Sequence, residues 1–68
     1  MTPIEARQAL GLSQSQFARL MGGTSSMTVS KWETGERTPR DQAAALMRLL
    51  VWLHDNHPRI YAQWMKEI

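Results

Sequence analysis

Serines recur in the first half of the chain, at positions 13, 15, 25, 26 and 30, but no histidine lies near them in sequence to activate a hydroxyl. The only two histidines, His54 and His57, flank Asp55. Two imidazoles at helical spacing can ligate zinc. Here Pro58 interrupts the helix at once, and no further histidine and no cysteine exists to complete a site. These residues read as a solvated or capping helix end, so no metal is expected. Neither a phosphate-cradling glycine loop, a paired-carboxylate pattern nor a His-Glu-x-x-His motif occurs. No enzyme activity and no cofactor are expected, and the chemistry that remains is recognition.

The residues suited to recognition lie around positions 24–40. Val29 and Trp32 are three apart on one short helix and can both face a core. The opposite face then holds Ser26, Met27, Ser30 and Lys31, a slim polar surface with one charge. Such a helix fits the DNA major groove, about 12 Å wide, without repulsion. Small hydroxyls let the helix axis approach base edges. Lys31 can donate to guanine O6 or N7, and Met27 can touch a thymine methyl. The helix N-terminus turns backbone N–H groups toward phosphate. The same face could equally be an ordinary solvated surface.

Charge agrees with a polyanion partner. The chain carries a net charge of +2, and its pI is about 9.7. Residues 1–40 hold five basic against three acidic side chains, whereas residues 41–68 hold three of each. The whole surplus therefore lies in the part that contains the polar helix.

Five helices separated by short turns must position these residues, and no segment alternates in the strand period. The fold class is all-α. Thr2-Pro3-Ile4-Glu5 has the form of a capping box with proline at the first helical position, and Gly11 closes that helix. Ser13-Gln14-Ser15-Gln16 is a second capping box, opening a helix with Phe17, Ala18 and Met21 toward one face. Gly22-Gly23 stops it, and Thr24 or Ser25 caps the third helix, which runs to Gly35. Thr38-Pro39-Arg40-Asp41 repeats the first pattern and predicts the start of the longest helix. That helix has an apolar stripe at Leu46, Leu49, Leu50 and Leu53. Asn56-His57-Pro58 ends it, and a last helix over about 58–67 carries Ile60, Tyr61, Trp64 and Met65. The link between the second and third helices is short enough to force a steep crossing, with Ala18 where the axes approach.

Here the residues resemble a known family. Gln14-x-x-Phe17-Ala18-x-x-Met21-Gly22, followed by Thr28-Val29-Ser30-Lys31-Trp32-Glu33-x-Gly35, is similar to the Cro/C1-type helix-turn-helix family of phage repressors and small bacterial regulators. The similarity runs from about Arg7 to Pro39, and the helix-turn-helix itself spans about 13–34. It implies a lambda-repressor-like domain of five short helices that binds double-stranded DNA. It places Ser25, Ser26, Met27 and Lys31 at base-reading positions. Gln14, through its side-chain amide, Thr28, Ser30 and Thr34 fall at phosphate-contacting positions, with Arg37 and Arg40 in a basic loop beside the backbone. Arg7 and Glu33 fall where the family often has a buried ion pair. The sequence departs from the family in two places. One extra residue stands in the turn at Gly23-Thr24, which leaves the reading register open. Leu20 stands where the family is usually polar, and either meets the final helix or stays on the surface.

Sixty-eight residues allow one domain, 1–68, with no room for a separate sensor. The longest apolar run, Leu49 to Leu53, is too short to span a bilayer, and no signal peptide pattern occurs. The expectation is a soluble cytoplasmic protein of a bacterial cell or phage-infected host. A domain this small has a thin stability margin, which favours association. Trp32 reads as core rather than as part of a ligand cage. Trp52, Ile60, Tyr61, Trp64 and Met65 are candidates for a homodimer interface. The expected function is a homodimeric repressor that binds an inverted repeat and autoregulates a small operon, whether phage Cro-like, antitoxin-like or associated with anti-CRISPR genes. The alternative is a protein-interaction module with incidental DNA affinity. A third class, RNA binding, has no aromatic platform or RNA-binding signature to support it.

Overall fold

A computed structural model describes residues 1–68 as five helices and no strand: α1 Pro3–Leu10, α2 Gln14–Leu20, α3 Ser26–Thr34, α4 Asp41–Asn56 and α5 Pro58–Glu67. The first two begin as their sequences require. Thr2 and Ser13 are N-caps in complete capping boxes with Glu5 and Gln16. Each box satisfies two backbone groups that a helix start otherwise leaves unpaired. α3 is capped by Ser25, whose Oγ accepts the Thr28 N–H at 3.1 Å. Of the two cap candidates, Thr24 and Ser25, the second is used, and Thr24 stays in the turn.

α4 departs from expectation. Its N-cap position is Arg40, without a side-chain cap hydrogen bond, and Thr38 and Pro39 remain outside the helix. The proline ring biases Thr38 toward extended geometry, and the chain stays extended through Arg40 before it turns.

The core is one cluster drawn from all five helices: Ala6 and Leu10, then Phe17, Ala18, Leu20 and Met21, Val29, Met47, Leu50 and Val51, and Tyr61. Leu20 is 2% exposed and belongs to it. Nearby, Gln16 and Arg19 of α2 line a shallow depression with Met65 and Ile68 at the end of α5. Two corrections concern the last helices. The core face of α4 is centred on Met47, Leu50 and Val51, with Leu46 and Leu53 only partly buried and Leu49 half exposed. Counting leucines alone placed the stripe one position to the side. Tyr61, expected at a dimer interface, is buried within its own chain, and Met65 packs against the same cluster. Burial of the ring raises the Tyr61 pKa above its ordinary value, and its hydroxyl has no hydrogen-bond partner in the chain. α5 therefore folds back on α4 and is part of the domain.

Candidate nucleic-acid interface

The site is built on α2, the turn and α3. Met21 ends α2, and Gly22 and Gly23 follow with φ of 87° and 83°. These left-handed conformations suit glycine and strain other residues. A Cβ at either position would meet nothing within 4 Å. The demand at the turn is thus conformational and not one of space. Ala18, 2% exposed, lies in the core beside Phe17 and Val29.

Val29 is the one fully buried residue of α3, and Trp32 is partly buried against the core. On the other side Ser26 is exposed and Met27 is 67% exposed, with Ser30 and Lys31 half-buried along the same surface. Lys31 lies 3.7 Å from Glu36, with the side chains 38% and 65% exposed. An exposed pair of this kind contributes about 0–1 kcal/mol and is readily released.

Four of the polar residues expected to meet DNA, Gln14, Ser25, Thr28 and Thr34, already have hydrogen-bond partners within the chain. Ser25 Oγ caps α3 and hydrogen-bonds Thr28 Oγ1 at 3.0 Å. The cap uses Ser25 Oγ as an acceptor, and its O–H is left to donate elsewhere when Thr28 is the donor between the two hydroxyls. Thr34 Oγ1 donates to the Lys31 carbonyl at 3.2 Å, and the Arg37 backbone N–H donates to that same carbonyl at 3.1 Å. The Arg37 contact ties the basic loop to the end of α3. Gln14 Nε2 donates to Glu33 Oε1 at 3.1 Å. One N–H of the amide is thus taken, and one is left for a phosphate.

Beneath this surface Arg7 and Glu33 form a two-pronged pair, Nε to Oε2 at 2.6 Å and Nη2 to Oε1 at 3.2 Å. Arg7 Nη1 also donates to the Leu12 carbonyl at 2.9 Å. The side chains are 20% and 7% exposed. The hydrogen bonds from Arg7 lower the Glu33 pKa; burial opposes them, and the Gln14 bond adds to the lowering. The pair joins α1 to the last turn of α3, with α2 held through Gln14. It also turns the only carboxylate of α3 away from the exposed face. The positive surplus of residues 1–40 is then carried outward by Arg37 and Arg40, both exposed.

These two arginines border a cleft of about 590 Å³ between α3 and the start of α4. Thr24, Thr28 and Thr38 share its rim, and Met21, Trp32 and Leu46 are among its apolar walls. Sequence reasoning missed the Gln14–Glu33 bond and the Glu36 restraint on Lys31. Neither has a local signal, because Gln14 and Glu33 are 19 residues apart and Glu36 lies beyond the end of α3.

The family model described as Helix-turn-helix matches residues 4–47, well over half of the chain. The chain belongs to the Cro/C1-type helix-turn-helix family, and it is a DNA-binding regulator of that class. No curated protein and no solved structure gives a match. No helix is long and apolar enough to cross a membrane.

Proposed function

We propose that this protein is a sequence-specific repressor that binds an inverted-repeat operator as a homodimer and limits its own synthesis in a small operon. The observation that carries sequence reading is the lopsided burial of α3: Val29 is fully buried while Met27 stands 67% exposed. A scaffold holds this helix out by its far side. Ser26, Met27 and Lys31 are the base readers in this account, at distances that small side chains permit. The remaining N–H of Gln14, together with Thr28, Ser30, Thr34, Arg37 and Arg40, holds the backbone, and these contacts set the register on the duplex. Thr28 and Thr34 would each donate the hydroxyl O–H to a phosphate oxygen, Thr34 by releasing the Lys31 carbonyl.

One domain offers few base contacts, and two copies on a two-fold axis double them. Half-sites then fall about one helical turn, or roughly 10 bp, apart. Repression follows from excluding polymerase at a promoter. The test is binding of a labelled duplex pool near physiological salt, with unrelated duplex, structured RNA and free protein partners as competitors. Retention of a defined sequence against unrelated duplex supports the proposal. Loss of all preference at that salt, with binding only at low salt, would leave the interaction-module reading instead.

A further inference from the structure

α4 carries apolar side chains on two faces, and only one is buried in the core. Met47, Leu50 and Val51 are buried. Ala45, Leu49, Trp52 and Asn56 follow one another at spacings of four, three and four residues, the repeat that lines a single seam of a helix. Leu49 and Trp52, at the middle of it, are 51% and 52% exposed. None of the four lines the cleft beside α3. Large apolar side chains held in water are unfavourable, and a grouped set marks a docking surface.

We infer that a second copy of this chain docks on this seam, with the two α4 helices antiparallel. The inference rests on the homodimer reading above and names the surface that reading needs.

Two features select a second copy as the occupant. The seam is self-complementary. A two-fold axis midway between Leu49 and Trp52 sets Leu49 against the partner's Trp52, and Ala45 against the partner's Asn56. The charges beside the seam are also self-complementary. Arg48 and Asp55 are seven residues apart on the same flank, and antiparallel helices bring such like-placed flank positions together. The same axis sets each Arg48 beside the partner's Asp55, which gives two ion pairs by symmetry. Both residues are exposed. Arg48 has no carboxylate partner in its own chain. Asp55 uses Oδ1 for His54 at 3.0 Å, which leaves Oδ2 available.

The size of the surface defines the kind of dimer. α5 starts beside the end of the seam, where the His57 ring lies 5.0 Å from that of Trp52. On α5 itself, Ile60 and Trp64 are 52% and 45% exposed. Leu49 and Trp52 together expose on the order of 200 Å² of apolar surface per copy, about a quarter of what a standard stable interface buries. That area supports a reversible dimer whose population follows concentration. Occupancy of an operator would then rise more steeply than the amount of protein.

The test is charge reversal read by sedimentation equilibrium. Arg48→Glu alone sets like charges together twice in the dimer, and so does Asp55→Arg alone. Each should weaken self-association about tenfold. A one-to-one mixture of the two variants restores both opposite-charge pairs and should return association to the wild-type level as a heterodimer. Leu49→Glu should abolish association while leaving the helical circular dichroism unchanged. A wild-type dimer indifferent to either charge variant, or a mixture no tighter than its components, would overturn the seam and leave the homodimer reading standing. A wild-type protein that stays monomeric at every concentration and on DNA would overturn both.

Discussion

Glu33 is the only carboxylate on α3, and its direction governs both stability and charge at the interface. It faces Arg7 and Gln14 beneath the surface. Loss of one member of a fully buried pair costs about 3–5 kcal/mol. Arg7 keeps a fifth of its side chain in water, so Glu33→Gln should destabilise the fold by about 2–3 kcal/mol, readable as a fall in Tm. The pH dependence follows from the lowered Glu33 pKa. A carboxylate whose folded pKa is depressed stabilises the fold above its unfolded value. That contribution is lost as pH falls through the folded value. Acid should therefore weaken the wild type below the ordinary value of 4.5, and Glu33→Gln should flatten that part of the profile. Denaturant titrations across pH 2–7 check it, and a profile unchanged by the substitution would remove the pair from the account. Glu36 is the opposite case. It sits 3.7 Å from Lys31 at the exposed face, so Glu36→Gln should strengthen DNA binding a few-fold. Lys31→Ala should cost about 1–3 kcal/mol and relax discrimination at one base position. Both are read by titration of a fixed duplex and its single-base variants.

At the scale of elements, the register of α3 depends on how the chain leaves α2. Two successive left-handed glycines open the turn, and Ser25 closes it as the helix cap. Gly23→Ala meets no atom, so its cost is the backbone conformation alone, about 1–2 kcal/mol. Ser25→Ala removes the cap at about 1 kcal/mol. Thermal unfolding of both variants checks these values, and a larger loss at Gly23 would mean that the turn moves. Capping boxes made α1 and α2 legible in the sequence, because their signals are local. The start of α4 was less so. Thr38-Pro39 has the composition of a helix start, yet the chain turns only after Arg40. The face of α4 was misplaced as well. Leu49 is as apolar as Leu50, and the choice between them is made by what α1 and α5 bring to it. The polar partners of Gln14 and the hydroxyls were likewise beyond local reading, since they depend on which helices meet.

At the scale of the molecule, a small core spreads over all five helices, so no helix is an appendage. Tyr61 places α5 inside that core. Removing residues 57–68 should therefore cost the fold itself, seen as loss of a cooperative unfolding transition, and dimerisation is better probed on the exposed seam. Tyr61→Phe isolates one term. Its hydroxyl is buried without a partner, and an unmet buried donor costs about 1–3 kcal/mol. The substitution should leave stability equal or raise it by up to about 1 kcal/mol. A clear loss would mean that the hydroxyl has a partner in solution. The positive field has the same global character. Arg37 and Arg40 stand out while Glu33 is turned in, so Arg40→Ala should weaken binding to every duplex and reduce the salt slope by about one per subunit. The family and fold were legible because they rest on spacing within one stretch, residues 4–47. The surface where two copies would meet lies largely beyond it and depends on packing.

If the exposed face of α3 reads DNA sequence, selection of bound duplexes from a random pool at near-physiological salt will reveal it. Wild-type protein should enrich an inverted repeat with half-sites about 10 bp apart or a multiple of that. Met27→Ala and Lys31→Ala should each change the preferred base at defined positions within each half-site while Arg40→Ala leaves the enriched sequence unaltered. A pool that shows no enrichment, or an enriched sequence that none of the α3 substitutions alters, would contradict the account.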